Sequence, residues 1–201
     1  MPLLIAVAVL TGTLPSRAAG ELTALYEITF DMDHDGTPDR VVIVGPAGKE
    51  PFSVKKDWAS LAADEHADLY IYLGGGDVPV DLSRKPSLRK AGIAVGARQN
   101  QIFPLEARGD AVIVRTAYNL FSNWDERTLT IVYRGGDFLV AGFSRSYDLK
   151  SGAQGSCEVN FLTGKALMSK GVGGKKRAAK GRFKPVRLAD WDEAKHAKAC
   201  L

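Results

Sequence analysis

The residues Asp31-Met32-Asp33-His34-Asp35-Gly36-Thr37-Pro38-Asp39 hold the densest concentration of chemistry in the chain. Three aspartates stand at alternate positions, a glycine follows the third, and a fourth aspartate comes three residues later. Carboxylates so close together repel one another, and a divalent cation relieves that repulsion. Calcium is a hard cation that takes about six to eight oxygen ligands in flexible geometry. A chain supplies several of these only by curling tightly, and Gly36 permits the sharp turn. Asp31, Asp33 and Asp35 then converge, the Thr37 carbonyl binds directly, and Asp39 binds directly or through a water. The expected ligand set is Asp31, Asp33, Asp35, Thr37 and Asp39, and the expected ion is calcium. Magnesium suits such a loop less well, because it dehydrates reluctantly and demands octahedral geometry. His34 reads as a surface residue of the loop.

The helix-loop-helix calcium motif needs a bidentate Glu at the twelfth loop position. That position is Val42, inside the apolar run Arg40 to Gly45. The preceding flank, Thr23 to Phe30, is also strand-like, so the loop is expected to join two strands. Here the stretch Phe30 to Val44 resembles the FG-GAP/VCBS class of extracellular repeats, whose motif is Asp-x-Asp-x-Asp-Gly-x-x-Asp followed by apolar residues. The resemblance covers about residues 26–45 and implies calcium held between β-strands. Members with several copies form propellers. One copy is present here, so that architecture is not implied. The remainder is loosely similar to small periplasmic proteins of unknown function with one such loop, on Thr128 to Phe143 and Asn160 to Lys165.

Other constellations give less. His34, His66 and His196 lack zinc-site spacing, and the two cysteines stand far apart. There is no Gly-x-Ser-x-Gly elbow. Gly171 to Lys176 fails the phosphate-loop spacing, with Ser169 and Lys176 at the deciding positions. No pair of carboxylates is singled out for glycoside hydrolysis. Arg108-Gly109-Asp110 reads as a turn and not as an adhesive triplet, and Gly74-Gly75-Gly76 as a turn at a strand end. No enzymatic activity is therefore expected. From Lys170 to Arg187 the chain carries eight bases and no acid, with glycines between them. This is expected to be a solvated loop, 170–187, in which Lys175, Lys176, Arg177, Lys180, Arg182 and Lys184 could meet an anion. Only Phe183 interleaves the bases, so base stacking and nucleic acid are not expected.

The elements that must position these residues read as short strands. Thr23 to Phe30, Arg40 to Gly45, Leu69 to Leu73, Ala111 to Thr116, Arg127 to Arg134, Phe138 to Arg145 and Glu158 to Leu162 are apolar or alternating runs punctuated by Gly and Asp. Gly135-Gly136 marks the clearest hairpin, since Gly-Gly accepts positive φ. Two short helices are expected. One spans Val54 to Asp64, and a C-terminal one spans Asp190 to Ala199, capped by Asp190. The fold class is mainly β, an antiparallel sheet or sandwich.

Met1 to Gly20 resembles a secretory signal peptide, with a short apolar run and then Pro15 to Gly20, although no base precedes the run. The run is shorter than the roughly 20 residues of a membrane span. Residues 21–201 are then one β-rich domain with no transmembrane span in the mature chain. Cys157 and Cys200 are the only cysteines. In an oxidising compartment a single pair closes into a disulfide, which ties the C-terminal tail to a strand. A periplasmic or secreted protein follows from these signs. The leading expectation is a calcium-binding, non-catalytic interaction module of the cell envelope, with a protein or an anionic polymer as partner. Two alternatives have their own marks. A periplasmic inhibitor or immunity-type protein would show a protruding loop or an apolar patch. An enzyme would show a deep acidic cleft with perturbed pKa values.

Overall fold

The computed structural model describes residues 22–47, 58–171, 174–179 and 181–200. Residues 1–20, where a signal peptide is expected, residues 54–57 of the first expected helix and Lys180 lie outside them. The chain is mainly β and antiparallel. Its strands are β1 (Leu22–Phe30), β2 (Asp39–Pro46), β3 (Ala59–Ser60), β4 (His66–Tyr72), β5 (Leu88–Val95), β6 (Gln101–Ile102) and β7 (Glu106–Arg108). There follow β8 (Ala111–Leu120), β9 (Asn123–Arg134), β10 (Asp137–Asp148), β11 (Gln154–Asn160), β12 (Lys165–Lys170), β13 (Arg177–Ala178) and β14 (Val186–Arg187).

Two sheets result. The smaller has the order β1-β2-β4-β5. The larger runs β13-β12-β11-β10-β9-β8-β6-β3, with β14 also on β10 and β7 on β8. Alternation along each strand puts the core between them. Val41, Ile43, Leu69 and Ile71 of the first sheet join one buried cluster with Val112, Val114, Leu129, Ile131 and Phe143 of the second. The β2 sequence Val41-Val42-Ile43-Val44 has no polar interruption because both of its faces are covered. Val42 and Val44 point the other way and pack with Tyr70 and Tyr72 beneath Val80 and Leu82 of the β4–β5 connection. The Gly135-Gly136 hairpin forms as expected, with φ of 61° and 84° at the two glycines. Gly109, at φ 61°, makes the turn between β7 and β8.

Three expectations need correction. The described part of the Val54 to Asp64 segment is not helical. Ala59 pairs with Ile102 as a strand, and Leu61 is buried in the core and donates its N–H to Asn100 O. Long-range pairing outweighs the weak local helix pattern. The C-terminal helix is shorter than Asp190 to Ala199. Helix α1 covers Glu193–His196, its cap is Asp192, and 3₁₀ turns lie at Leu188–Asp190 and Lys198–Cys200. Trp191 leaves the helical path (φ −62°, ψ 124°) and packs edge-on to Phe161 at 5.6 Å. The stretch 170–187 is not a plain solvated loop. Within it β13 pairs with β12, β14 pairs with β10, and Ala179, Phe183 and Val186 pack against the core between the exposed bases. Cys157 and Cys200 form the expected disulfide.

Candidate metal centre

β1 ends at Phe30 and β2 starts at Asp39, paired with it, so the aspartate loop closes the β1–β2 hairpin. Met32 anchors the loop and is fully buried in the core. His34 and Gly36 turn the chain with φ of 63° and 86°. Exposed His34 therefore adopts the left-handed conformation that non-glycine residues seldom take.

The carboxylates organise the backbone around themselves. Asp39 is fully buried, accepting from Met32 N–H at 2.7 Å and from Gly74 N–H at 2.8 Å. Asp31 Oδ2 accepts from Gly36 N–H at 3.0 Å, and Asp33 Oδ1 from Asp35 N–H at 3.1 Å. An oxygen of each of Asp31, Asp33 and Asp39 lies within 4.8 Å of the others. Asp31 Oδ1 is buried and has no hydrogen-bond partner. Desolvation holds the Asp33 carboxyl above its ordinary pKa, and the charges of Asp39, Asp35 and Asp31 push the same way against the Asp35 N–H.

The expected ligands do not all meet in that group. Asp31, Asp33 and Asp39 come together, whereas Asp35 is exposed and turns Oδ1 to Thr37 N–H at 2.7 Å. Two contributors escaped the sequence reading. Arg40 directs its guanidinium at the carbonyls of Gly75, Gly76 and Val78, and Gly76 donates its N–H to Pro38 O. A Cβ at Gly76 would lie 2.5 Å from Pro38 Cβ, so the glycine permits that approach. The run of three glycines was the available sign, because consecutive glycines mark a close backbone approach as well as a turn.

The other notable surfaces are different in kind. Lys170, Lys175 and Arg177 line a cleft of about 400 Å³ with Met168. Lys176 pairs with Glu158 at 2.7 Å, and Arg182 and Lys184 are exposed. A second cleft, of about 360 Å³, is lined by Lys90, Arg98, Gln99, Trp191, Asp192 and Glu193 among others. Two of its charged groups, Lys90 and Glu193, hold the tail in place. Lys90 donates to Ala189 O and Trp191 O, and burial lowers its pKa, while Glu193 pairs with Arg127 at 2.9 Å. In comparisons with known proteins, the chain matches no family model, no curated protein and no solved structure.

Proposed function

We propose that this chain is an exported, non-catalytic interaction module of the cell envelope whose Asp31–Asp39 loop takes one calcium ion as a structural staple. The observation that carries the calcium reading is the convergence of Asp31, Asp33 and Asp39 oxygens within 4.8 Å. The buried, unpartnered Asp31 Oδ1 supports it, since a desolvated carboxylate oxygen needs a hydrogen bond or a cation. Carboxylates from three positions, joined by backbone or water oxygens, make a donor set of hard ligands that fits calcium. The ion would link the end of β1 to the start of β2, and a hairpin between paired strands is a static setting. This favours a structural role over a sensing one. The cation-lined cleft of Lys170, Lys175 and Arg177 supports an anionic envelope partner. The disulfide supports an oxidising compartment.

Calorimetric titration with calcium tests the site. The wild-type protein should bind one ion with a Kd of roughly 10⁻⁴–10⁻³ M, as extracellular modules do. Asp33→Ala should lose the heat and the accompanying thermal shift. Absence of both in the wild type at several times that concentration would sink the calcium reading.

A further inference from the structure

The hairpin between β8 and β9 turns at Phe121-Ser122, with φ of 53° and 65°. A two-residue turn with positive φ at both central positions is normally filled by Asn-Gly. Phe and Ser occupy it here against their conformational preference. The Phe121 side chain is 80 % exposed. Leu120 and Trp124 flank it at 41 % and 37 % exposure. Leu120 pairs with Asn123, and Asn119 with Trp124. Cross-strand partners share a face and adjacent rungs alternate. Leu120 and Trp124 therefore lie on opposite faces, with Phe121 at the apex. Apolar side chains thus project from the apex and from both faces of the tip, beside the polar residues Asn119, Ser122 and Asn123, and this mixture suits the interface of a membrane better than packing one face against a flat partner.

The register shows what surrounds the finger. Asn119, Trp124, Asp148 and Gln154 occupy successive strands of one terminal rung, and Gly171 N–H bonds to Gln154 O beside it. The Leu149–Gly152 turn and the end of β12 thus leave the sheet at the same end as Phe121. Exposed Lys150 lies on that turn and exposed Lys170 closes β12, with Lys175 and Arg177 in the cleft beside it. Asp148 is an acid on this rung, and its Oδ1 accepts from the Gln154 amide. Lys150 N–H bonds to Asn123 Oδ1, tying the basic turn to the base of the finger.

We infer that this end of the larger sheet docks on an anionic lipid bilayer, with Phe121 inserted among the acyl chains, Leu120 and Trp124 at the interface, and Lys150, Lys170 and Lys175 against the headgroups. Aromatic side chains partition into the membrane interface, and nearby lysines add attraction to anionic lipid. The inference names a partner for the interaction-module reading and rests on it, but uses none of the aspartate loop.

The test is co-sedimentation of the purified protein with vesicles of phosphatidylglycerol and phosphatidylcholine, compared with pure phosphatidylcholine. The protein should bind the anionic vesicles, release them at high salt, and show Trp fluorescence quenching by brominated lipid that Trp124→Phe removes. Phe121→Ser should weaken binding about tenfold, the order expected for losing one buried phenyl group. The double variant F121N/S122G separates folding from binding. It installs the turn residues the backbone prefers, so its thermal unfolding midpoint should rise while vesicle binding falls as in Phe121→Ser. Equal binding to both vesicle types, or binding unaffected by either variant, would overturn the inference. So would capture of an envelope protein through Phe121 by a protein that ignores anionic vesicles. That outcome would leave the interaction-module reading standing.

Discussion

Asp31 and Asp39 bracket the same loop yet carry opposite burdens. Asp39 is a structural acceptor whose two buried oxygens satisfy Met32 N–H and Gly74 N–H. Asp31 satisfies Gly36 N–H with one oxygen and leaves the other buried without a partner. The two positions should therefore respond differently to substitution. Asp39→Ala strands the buried Met32 N–H and releases the partly buried Gly74 N–H, and should destabilise the protein by about 2–4 kcal/mol with or without calcium. Asp31→Asn removes a charge facing Asp33 and Asp39, and its amide can donate where the carboxylate could only repel. It should raise the stability of the calcium-free protein by roughly 1 kcal/mol and abolish the gain that calcium confers on the wild type. Denaturant titrations of the two variants in chelator and in excess calcium check both signs. A wild-type response to calcium that persisted in Asp31→Asn would remove this residue from the site.

At the scale of elements, the loop is coupled to the covering segment after β4. Arg40 bonds to Gly75 O, Gly76 O and Val78 O, and Asp39 accepts from Gly74 N–H, so the first two residues of β2 fasten residues 74–78. Val80 and Leu82 continue that segment over Val42, Val44, Tyr70 and Tyr72. Arg40→Lys loses the planar fork that reaches several carbonyls at once. It should cost about 1–3 kcal/mol and raise amide hydrogen exchange across 74–87, and calcium should lower exchange at 74–78 in the wild type. Unchanged protection of 74–87 in Arg40→Lys would assign the fastening to apolar contact alone. The strands around this unit were legible because their apolar runs are long and sharply bounded, as at Val41 to Val44 and Leu69 to Tyr72. The edge strand β5 was not, since Arg89, Ala91 and Gly92 are exposed on it and give no clear period. Two-residue strands such as β3 and β13 exist only through their distant partners Ile102 and Met168, which no local pattern encodes. At the candidate metal centre, the aspartate spacing was legible, but the part played by Gly74 to Gly76 depends on a segment some 35 residues away.

Over the whole molecule, the C-terminal tail binds the two sheets together. From the smaller sheet, Lys90 reaches Trp191 O at 2.6 Å. From the larger, Phe143 and Phe161 hold the Trp191 ring, and Arg145 donates to Cys200 O at 2.8 Å while forking onto Asp125. The Cys157–Cys200 bond closes a sequence separation of 43 residues. Constraining a loop of that length in the unfolded chain is worth about 4 kcal/mol in the chain-entropy model. The double variant C157S/C200S should lose about that much stability, read as a lower denaturant midpoint with a steeper slope, because the unfolded chain without the cross-link exposes more surface. The native contacts of Trp191 use other groups, so the folded variant should keep its tryptophan fluorescence and its calcium response. The aspartate loop and the tail lie at separate places in the fold, so on the proposed reading their effects should add, with calcium giving the same increment in the oxidised protein and in the variant. A calcium increment that vanished with the disulfide would instead mean that the tail and the β1–β2 hairpin act as one cooperative unit.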